Sequence, residues 1–185
     1  MLKPLSPWSR ICSPRSPTVC VPLKLLVDTF TALEAQIAAL DAEINQRSKS
    51  DPTARRLMTI PGVGPITSTA ITALVPAAEG FPAGRDFAAW LGLTPLQKST
   101  GGRQKLGAVS KRGERTIRRL LIIGASAVVQ QASRRGAPKG SWLAQMLARK
   151  PKMLVTVALA NKMARIVVWA LLVKGGTYRT PAAAA

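Results

Sequence analysis

The chain has 185 residues, with 27 lysines and arginines against 8 aspartates and glutamates, for a formal net charge of +19. An excess this large repels itself unless a polyanion is bound, so nucleic acid is the expected partner. The absence of histidine excludes histidine-based acid–base catalysis and Cys/His zinc sites. Few aromatic residues, together with many Ala, Leu, Val and Ile residues, favour an all-α fold over a sheet sandwich.

The first predicted segment is a leader, residues 1–21, that is rich in proline and serine and has no usable periodicity. We expect it to be disordered. It lacks the continuous apolar core of a signal peptide. The two cysteines, Cys12 and Cys20, come without a secretory signature, which indicates a reducing compartment.

Residues 22–47 are predicted to form a coiled-coil helix. Apolar residues recur there at alternating spacings of three and four, which gives a helix with a single apolar seam. The seam consists of Leu23, Leu26, Phe30, Leu33, Ile37, Leu40 and Ile44. The alternative is an ordinary amphipathic helix that packs on its own domain. The strict alternation favours a coiled coil, and we expect a homo-oligomer formed through this helix.

Residues 53–179 are predicted to form a compact helical domain, which opens with a helix–hairpin–helix at Leu57–Pro65 (LMTIPGVGP). Gly62 and Gly64 would let the turn backbone approach a DNA phosphate. Amides at the start of the second helix would add partial positive charge. A purely structural connection between two helices is the alternative.

The rest of this domain is predicted to be helical. A short helix around Asp86–Leu91 has Trp90 as a core anchor, and a long helix follows Glu114 to about Gln131. Further helices are expected near 141–149 and 153–173, followed by a frayed tail at 180–185.

The last of these segments is apolar enough to raise the question of a membrane span. Asn161, Lys162 and Arg165 lie near its middle, where polar and charged side chains are costly in lipid. We therefore expect no membrane association.

The connection before the long helix combines many cations with a hydroxyl beside two glycines. Residues 98–119 hold eight basic residues against Glu114 alone. We expect a loop at 98–107, beginning Lys98-Ser99-Thr100-Gly101-Gly102, whose glycine amides form an anion-binding nest beside the cations. From the residues alone, simple phosphate binding is favoured over catalysis.

Three stretches resemble, in the same order, the C-terminal transposase domain of the insertion sequence 110 family. They are TIPGVGPITSTAITAL, GLTPLQKSTGGRQKLGAVSKRGERTIRRLLIIGA and VALANKMARIVVWALLVKGGTY, and the resemblance covers about residues 22–179. Members of this family are serine transposases, or bridge-RNA-guided recombinases. In them a coiled coil joins an N-terminal RuvC-like nuclease domain, with an acidic metal-binding quartet, to this domain. The resemblance implies DNA and a guide RNA as partners and a bacterial cytoplasmic, nucleoid-associated location.

The resemblance implies that Ser99 is the nucleophile that becomes linked to a DNA phosphate, with Thr100 as the alternative. It also implies that seven cations hold DNA phosphates around the scissile position: Arg103, Lys105, Lys111, Arg112, Arg115, Arg118 and Arg119. From the residues themselves, we expect further DNA contacts at Gly62, Gly64, Lys98, Gly101 and Gly102.

Cofactor and activity follow from the same resemblance. No metal ligands or cofactor are expected in this chain, and Mg²⁺ is expected only with a RuvC-like domain. Because residues 1–21 contain no Asp or Glu, we expect a truncated transposase that binds DNA and has little or no recombinase activity alone. The alternatives are a non-enzymatic helix–hairpin–helix nucleic-acid-binding protein and a basic structural protein of an RNA particle.

Overall fold

The computed structural model describes residues 17–76, 80–138, 140–168 and 178. The chain divides into two compact units, residues 1–43 and 44–185. Helices account for most of the described residues, with one two-stranded sheet, so the predicted all-α class is confirmed. Most of the predicted leader, the tail at 180–185 and the end of the last predicted helix at 169–173 lie outside the described residues.

Helix α1, Pro17–Ser50, contains the whole predicted coiled-coil segment and begins inside the predicted leader. Six of its seven seam side chains are exposed, including Phe30 at 63% and Ile37 at 58%, and Ile44 is half-buried. Large apolar side chains that stay in water gain nothing from the hydrophobic effect until another surface covers them. The coiled coil and the homo-oligomer remain predictions.

Lysines at two seam positions, Phe30→Lys with Ile37→Lys, should dissociate any oligomer that this helix forms. Charges would then be buried without partners between the helices. Sedimentation velocity measures the mass. The control is Ala35→Lys with Ala39→Lys, which adds the same charge on the opposite side of the helix and should leave the mass unchanged. A wild-type monomer, or a seam variant of unchanged mass, would refute pairing through this seam.

The second unit contains shorter helices and one small hairpin. Its elements are α2 Pro52–Leu57, α3 Pro65–Leu74, α4 Gly84–Trp90, β1 Pro95–Gln97, β2 Leu106–Val109, α5 Arg115–Arg135, α6 Trp142–Arg149 and α7 Lys152–Lys162. A π-helical segment, Met163–Val168, continues α7. Helix α5 packs against α3, α6 and α7, and α4 packs against the π-helical segment. The long helix α5 therefore contacts three of the other helices of this unit directly.

Side-chain caps determine where several of these helices begin. Asp51 accepts a hydrogen bond from the Thr53 N–H at 2.8 Å before α2, and Pro52 occupies the first helical position, where a missing N–H costs nothing. Glu114 caps α5 in the same way, and Ser141 caps α6. These caps satisfy amides that the helices themselves leave without partners.

Phe87 is the aromatic centre of the core and is completely buried. Its ring lies 5.2 Å from that of Phe81, edge to face, and 5.8 Å from that of Trp90. Trp90, predicted as the core anchor, is half-buried and packs against the core from its rim. The buried apolar residues around Phe87 come mainly from α2, α3, α5, α7 and the segment that follows α4, among them Leu57, Ile71, Leu91, Leu93, Ile117, Leu121, Ala125 and Ala160.

Two of the three polar residues predicted to interrupt the last apolar segment have defined partners. The Asn161 side-chain amide donates to the Leu93 carbonyl at 2.8 Å. The Lys162 ammonium lies 4.4 Å from the centre of the Trp142 ring, a cation–π contact between α7 and α6. In the part of the chain that the structure describes, no helix is long and apolar enough to cross a membrane.

The predicted helix–hairpin–helix corresponds to α2, a turn at 58–64 and α3. Gly62 has a φ of +88°, and a Cβ there would come within 2.7 Å of the Gly124 carbonyl oxygen in α5. The backbone at Gly62 therefore packs closely against α5. This contact explains why a glycine is needed here, and no bound phosphate is required to explain it. Gly64, with φ of −98°, is the N-cap of α3, and a side chain there would meet open space.

The same substitution at these two glycines should have opposite outcomes. Gly62→Ser should lower the free energy of unfolding by about 2 kcal/mol or more, because it strains the left-handed conformation and collides with the α5 backbone. Gly64→Ser should change it by less than about 0.5 kcal/mol, because serine is a favoured N-cap. Urea unfolding measures both values. Equal stabilities would mean that the turn does not need its contact with α5.

Candidate nucleic-acid interface

The segment predicted as a loop at 98–107 is part of a β-hairpin, residues 95–109. Strands β1 and β2 are antiparallel, with Pro95 opposite Val109 and Gln97 opposite Leu106, and the register shifts between these pairs. Beyond the strands, the Lys98 N–H donates to the Lys105 carbonyl at 2.8 Å. The loop prediction holds for residues 98–105, which connect the two strands, and is wrong for residues 106 and 107, which belong to β2.

Two glycines make the tip of the hairpin. Gly101 and Gly102 have φ values of +57° and +76°, and the Arg103 N–H donates to the Thr100 carbonyl at 3.1 Å across the turn. Positive φ at both central residues is the geometry of the two-residue turns that match strand twist. The turn alone therefore accounts for both glycines. The anion-binding nest remains a prediction.

The register gives the hairpin two chemically different faces. Side chains alternate between the faces of a strand, and Lys98 is opposite Lys105 while Thr100 is opposite Arg103. We call the first side, formed by Leu96, Lys98, Thr100, Arg103 and Lys105, the cation face. We call the other side, formed by Gln97, Ser99, Gln104 and Leu106, the serine face.

Two contacts support this assignment. The Ser99 hydroxyl donates to the side-chain oxygen of Gln97 at 3.3 Å, so these two side chains share a face. On the other side, a Cβ at Gly107 would lie 3.3 Å from Cε of Lys98 and 3.4 Å from Cβ of Leu96. The Lys98 side chain therefore passes across the cation face, away from Ser99.

The Ser99 hydroxyl is exposed and has two hydrogen-bond partners. Besides donating to Gln97, it accepts from the Lys105 backbone N–H at 3.2 Å. An N–H donor favours negative charge on Oγ, but neither partner is a base that takes the proton. Among the described residues, no group of three or more Asp, Glu or Cys side chains comes together to hold a metal ion.

The base of the hairpin is held by a backbone clamp, in which residues 90–94 lie against residues 110–114. The N–H groups of Ser110, Lys111 and Glu114 donate to carbonyls of the first segment at 2.9, 3.1 and 3.2 Å. Gly92 and Gly113 permit this approach, since a Cβ at either would overlap a backbone carbonyl of the other segment. The clamp ties the exposed hairpin to the buried Leu91 and Leu93.

The other predicted DNA-contacting cations lie around the beginning of α5. Lys111 and Arg112 are exposed in the clamp, and Lys111 has a φ of +57°. Arg115 and Arg119 are exposed on α5 and are four residues apart, which places them on one side of the helix. These residues extend the positive surface from the hairpin to the first turns of α5.

The part of the chain that contains the hairpin matches a known protein family. Residues 54–139 match the family described as Transposase IS116/IS110/IS902 family. Residues 54–139 belong to this transposase family. The transposase domain so defined runs from α2 to just beyond α5 and includes the whole hairpin. The resemblance to the insertion sequence 110 family is confirmed.

Relatives support the same assignment. The "Probable family 20 transposase" of Pseudomonas aeruginosa is 46% identical over 157 residues, which cover 85% of this chain and 46% of that protein. The transposases for insertion sequence elements IS1328 of Yersinia enterocolitica and IS1111A of Coxiella burnetii are each 36% identical over 143 residues, which cover 77% of this chain. The chain spans less than half the length of these relatives.

Sequence reasoning missed three residues that shape the site in the transposase domain. Gln97 contacts the Ser99 hydroxyl, Gly107 leaves room for Lys98, and Asn161 holds the carbonyl of Leu93. A signal for the hairpin was present in Thr-Gly-Gly-Arg, since paired glycines are typical of two-residue turns. Nothing in the sequence pairs Asn161 with a residue so distant along the chain.

Arg118 differs from its neighbouring arginines. It is half-buried, and its Nη1 donates to the Leu91 carbonyl at 2.9 Å and to the Arg112 carbonyl at 3.3 Å. One guanidinium nitrogen therefore joins the two segments of the clamp from α5. This places Arg118 in the support of the hairpin, whereas sequence analysis expected it to contact DNA.

Arg118→Lys should loosen the base of the hairpin without changing the net charge. Lysine cannot reproduce the planar fork of arginine, and hydrogen bonds from charged donors contribute about 1.5–3 kcal/mol each. We expect a lower free energy of unfolding and faster amide hydrogen exchange at Lys111 and Glu114. Arg119→Lys, one residue away and exposed, is the control and should change neither. Exchange rates that are the same in both variants would show that Arg118 does not support the clamp.

Proposed function

We propose that this chain is the DNA-engaging part of an insertion-sequence transposase, with the hairpin and the beginning of α5 as its DNA interface. One observation carries the proposal: within a transposase-family domain, an exposed serine lies on a hairpin whose other face bears three cations. A rigidly based hairpin with such a surface suits binding to a phosphate backbone.

The charge distribution supports nucleic acid as the partner. No Asp or Glu occurs after Glu114, whereas 13 basic residues occur from Arg115 onward. Surfaces that serve only solubility usually mix the two signs. Cations that contact phosphates release counterions from DNA, so the affinity should fall steeply with salt.

The affinity of this chain for duplex DNA should fall with salt concentration, and the cations of the hairpin should account for part of that fall. Contact with about six phosphates would lower the affinity about a thousandfold between about 50 and 200 mM salt. Replacing Lys98, Arg103 and Lys105 by Gln should reduce the slope of log K against log salt by about 3. Fluorescence anisotropy at several salt concentrations measures this slope.

The matched control removes three charges elsewhere in the chain, with Arg134, Arg135 and Arg149 replaced by Gln. If binding depended only on net charge, both triple variants would lose the same slope. Our proposal expects the control to keep nearly the wild-type slope. A flat salt response of the wild-type chain would contradict electrostatic binding altogether.

For the chemistry, we propose that Ser99 is the nucleophile of the complete transposase. Its Oγ would attack phosphorus, a phosphoserine ester would form, and the bond from phosphorus to the departing DNA oxygen would break. The Oγ proton needs a base, and the two polar partners of this hydroxyl, an amide oxygen and a backbone N–H, do not provide one. We propose that a RuvC-like domain with Mg²⁺, together with a guide RNA, completes the reaction.

These 185 residues alone should therefore bind DNA and leave it uncut. With a RuvC-like domain of a complete relative, Mg²⁺ and guide RNA supplied, DNA should become attached to Ser99, and mass spectrometry of the adduct identifies the residue. Ser99→Ala should abolish the adduct and Thr100→Ala should retain it. An adduct on Thr100, or cleavage by the unsupplemented chain, would contradict this assignment.

The alternative function is a helix–hairpin–helix nucleic-acid-binding protein without catalysis. It is favoured by the lack of a base at Ser99 and by the open surface at Gly64, the N-cap of α3. The adduct experiment separates the two functions, because a purely binding protein would form no covalent link in any combination.

A further inference from the structure

We propose that the hairpin contacts two nucleic-acid backbones at once, one on each face. This inference rests on the proposed function, because it assumes that the hairpin binds DNA. It changes the role expected for the cations: they would hold one strand, while Ser99 faces the other. Sequence analysis expected the cations to contact DNA around the scissile position.

The first step is the separation of the faces. Lys98, Arg103 and Lys105 lie on one side of the hairpin, and Ser99 lies on the other with Gln97. The backbone of the two strands stands between them. Layers that cover the two faces of a sheet each lie about 10 Å from it, so a phosphate that lies over one face is far from one that lies over the other.

The second step is the chemistry of each face. Three of the five side chains on the cation face are charged, and the Lys98 stem lies across Gly107 on that side. The serine face carries two amides, one hydroxyl and Leu106, none of them charged. The cation face therefore provides electrostatic affinity, and the serine face presents a hydroxyl to a phosphate without a fixed cation beside it.

The third step is the fit to DNA. The major groove of a B-form duplex is about 12 Å wide and admits a two-stranded β-ribbon. A hairpin that enters it edge-on has one backbone on each side. Its side chains near the tip, including Thr100 and Gln104, are exposed and available to both strands. A single duplex therefore offers the two backbones that the two faces require.

This arrangement also separates the two candidate nucleophiles. Thr100 lies on the cation face and Ser99 on the serine face, although they are adjacent in sequence. A hydroxyl and its neutralising cations would share a face only if Thr100 were the attacking residue. With Ser99 as nucleophile, the attacked phosphate must be neutralised by groups outside the hairpin.

Photo-crosslinking tests the proposal directly on the 185-residue chain. Benzoylphenylalanine replaces Thr100 and Gln104 together, one on each face, and the probe is a duplex oligonucleotide with a different fluorophore on each strand. After irradiation and denaturation, we expect a species in which one polypeptide carries both fluorophores. All cations and Ser99 are retained in this variant.

The matched control places benzoylphenylalanine at Leu96 and Thr100, which are also four residues apart but both on the cation face. We expect it to give single-strand adducts only. A second opposite-face pair, Leu96 with Leu106, should again join both strands. All four positions are exposed, and circular dichroism verifies that each variant folds.

The outcomes distinguish this inference from the function on which it rests. If the single-site variants at Thr100 and Gln104 both crosslink but the double variant never joins two strands, the two-backbone arrangement is wrong and DNA binding by the hairpin stands. Crosslinking from Thr100 alone also overturns it. If neither position crosslinks while the chain binds DNA, the hairpin is not the interface, and the proposed function fails at this site.

Discussion

The clamp between residues 90–94 and 110–114 is the constraint on which the rest of the site depends. It is made mainly of backbone groups, with three N–H donors of one segment reaching carbonyls of the other. Gly92 and Gly113 make the approach possible. Arg118 from α5 and Asn161 from α7 each hold a carbonyl of the first segment. Because both helices belong to the core, the exposed hairpin takes its orientation from buried structure.

A fixed base is important because the hairpin itself buries few side chains. All three residues of β1 are exposed, as are Lys98 to Lys105 at the tip. An isolated two-stranded hairpin is marginally stable in water. Clamped at its base, it presents side chains at fixed positions, which lowers the conformational entropy lost on binding. Leu91 and Leu93 of the clamp are buried in the same core cluster as Phe87.

The helices could be predicted from the sequence, and the hairpin could not. The long apolar periodicity of α1 and α5 is a strong helical signal, and both were expected. The strands are short and lack a buried face, so no alternation of apolar and polar residues marked them; only Gly101-Gly102 did. The role of Gly62 could not be predicted either. Its backbone packs against that of Gly124, which is distant in sequence, and the contact requires that both residues lack a side chain.

The site residues could likewise be predicted only in part: their identity followed from the sequence, and their arrangement did not. Ser99 and the cations were found because hydroxyl, glycine and basic residues cluster within a few positions and match a known family. Their arrangement on two faces depends on strand register, which one inserted residue would reverse. Arg118 was grouped with its neighbours because sequence gives its charge but not its burial. Its two carbonyl partners come from segments on either side of the hairpin.

The most direct test of the account is amide hydrogen exchange of this chain with and without duplex DNA. If the hairpin is the interface, DNA should slow exchange at residues 96–106 and in the first turn of α5, with the amides of α6 unchanged. Slowed exchange confined to the turn at 58–64, or centred on α6 and the beginning of α7, would contradict the account. Either result would move the DNA-binding surface away from Ser99.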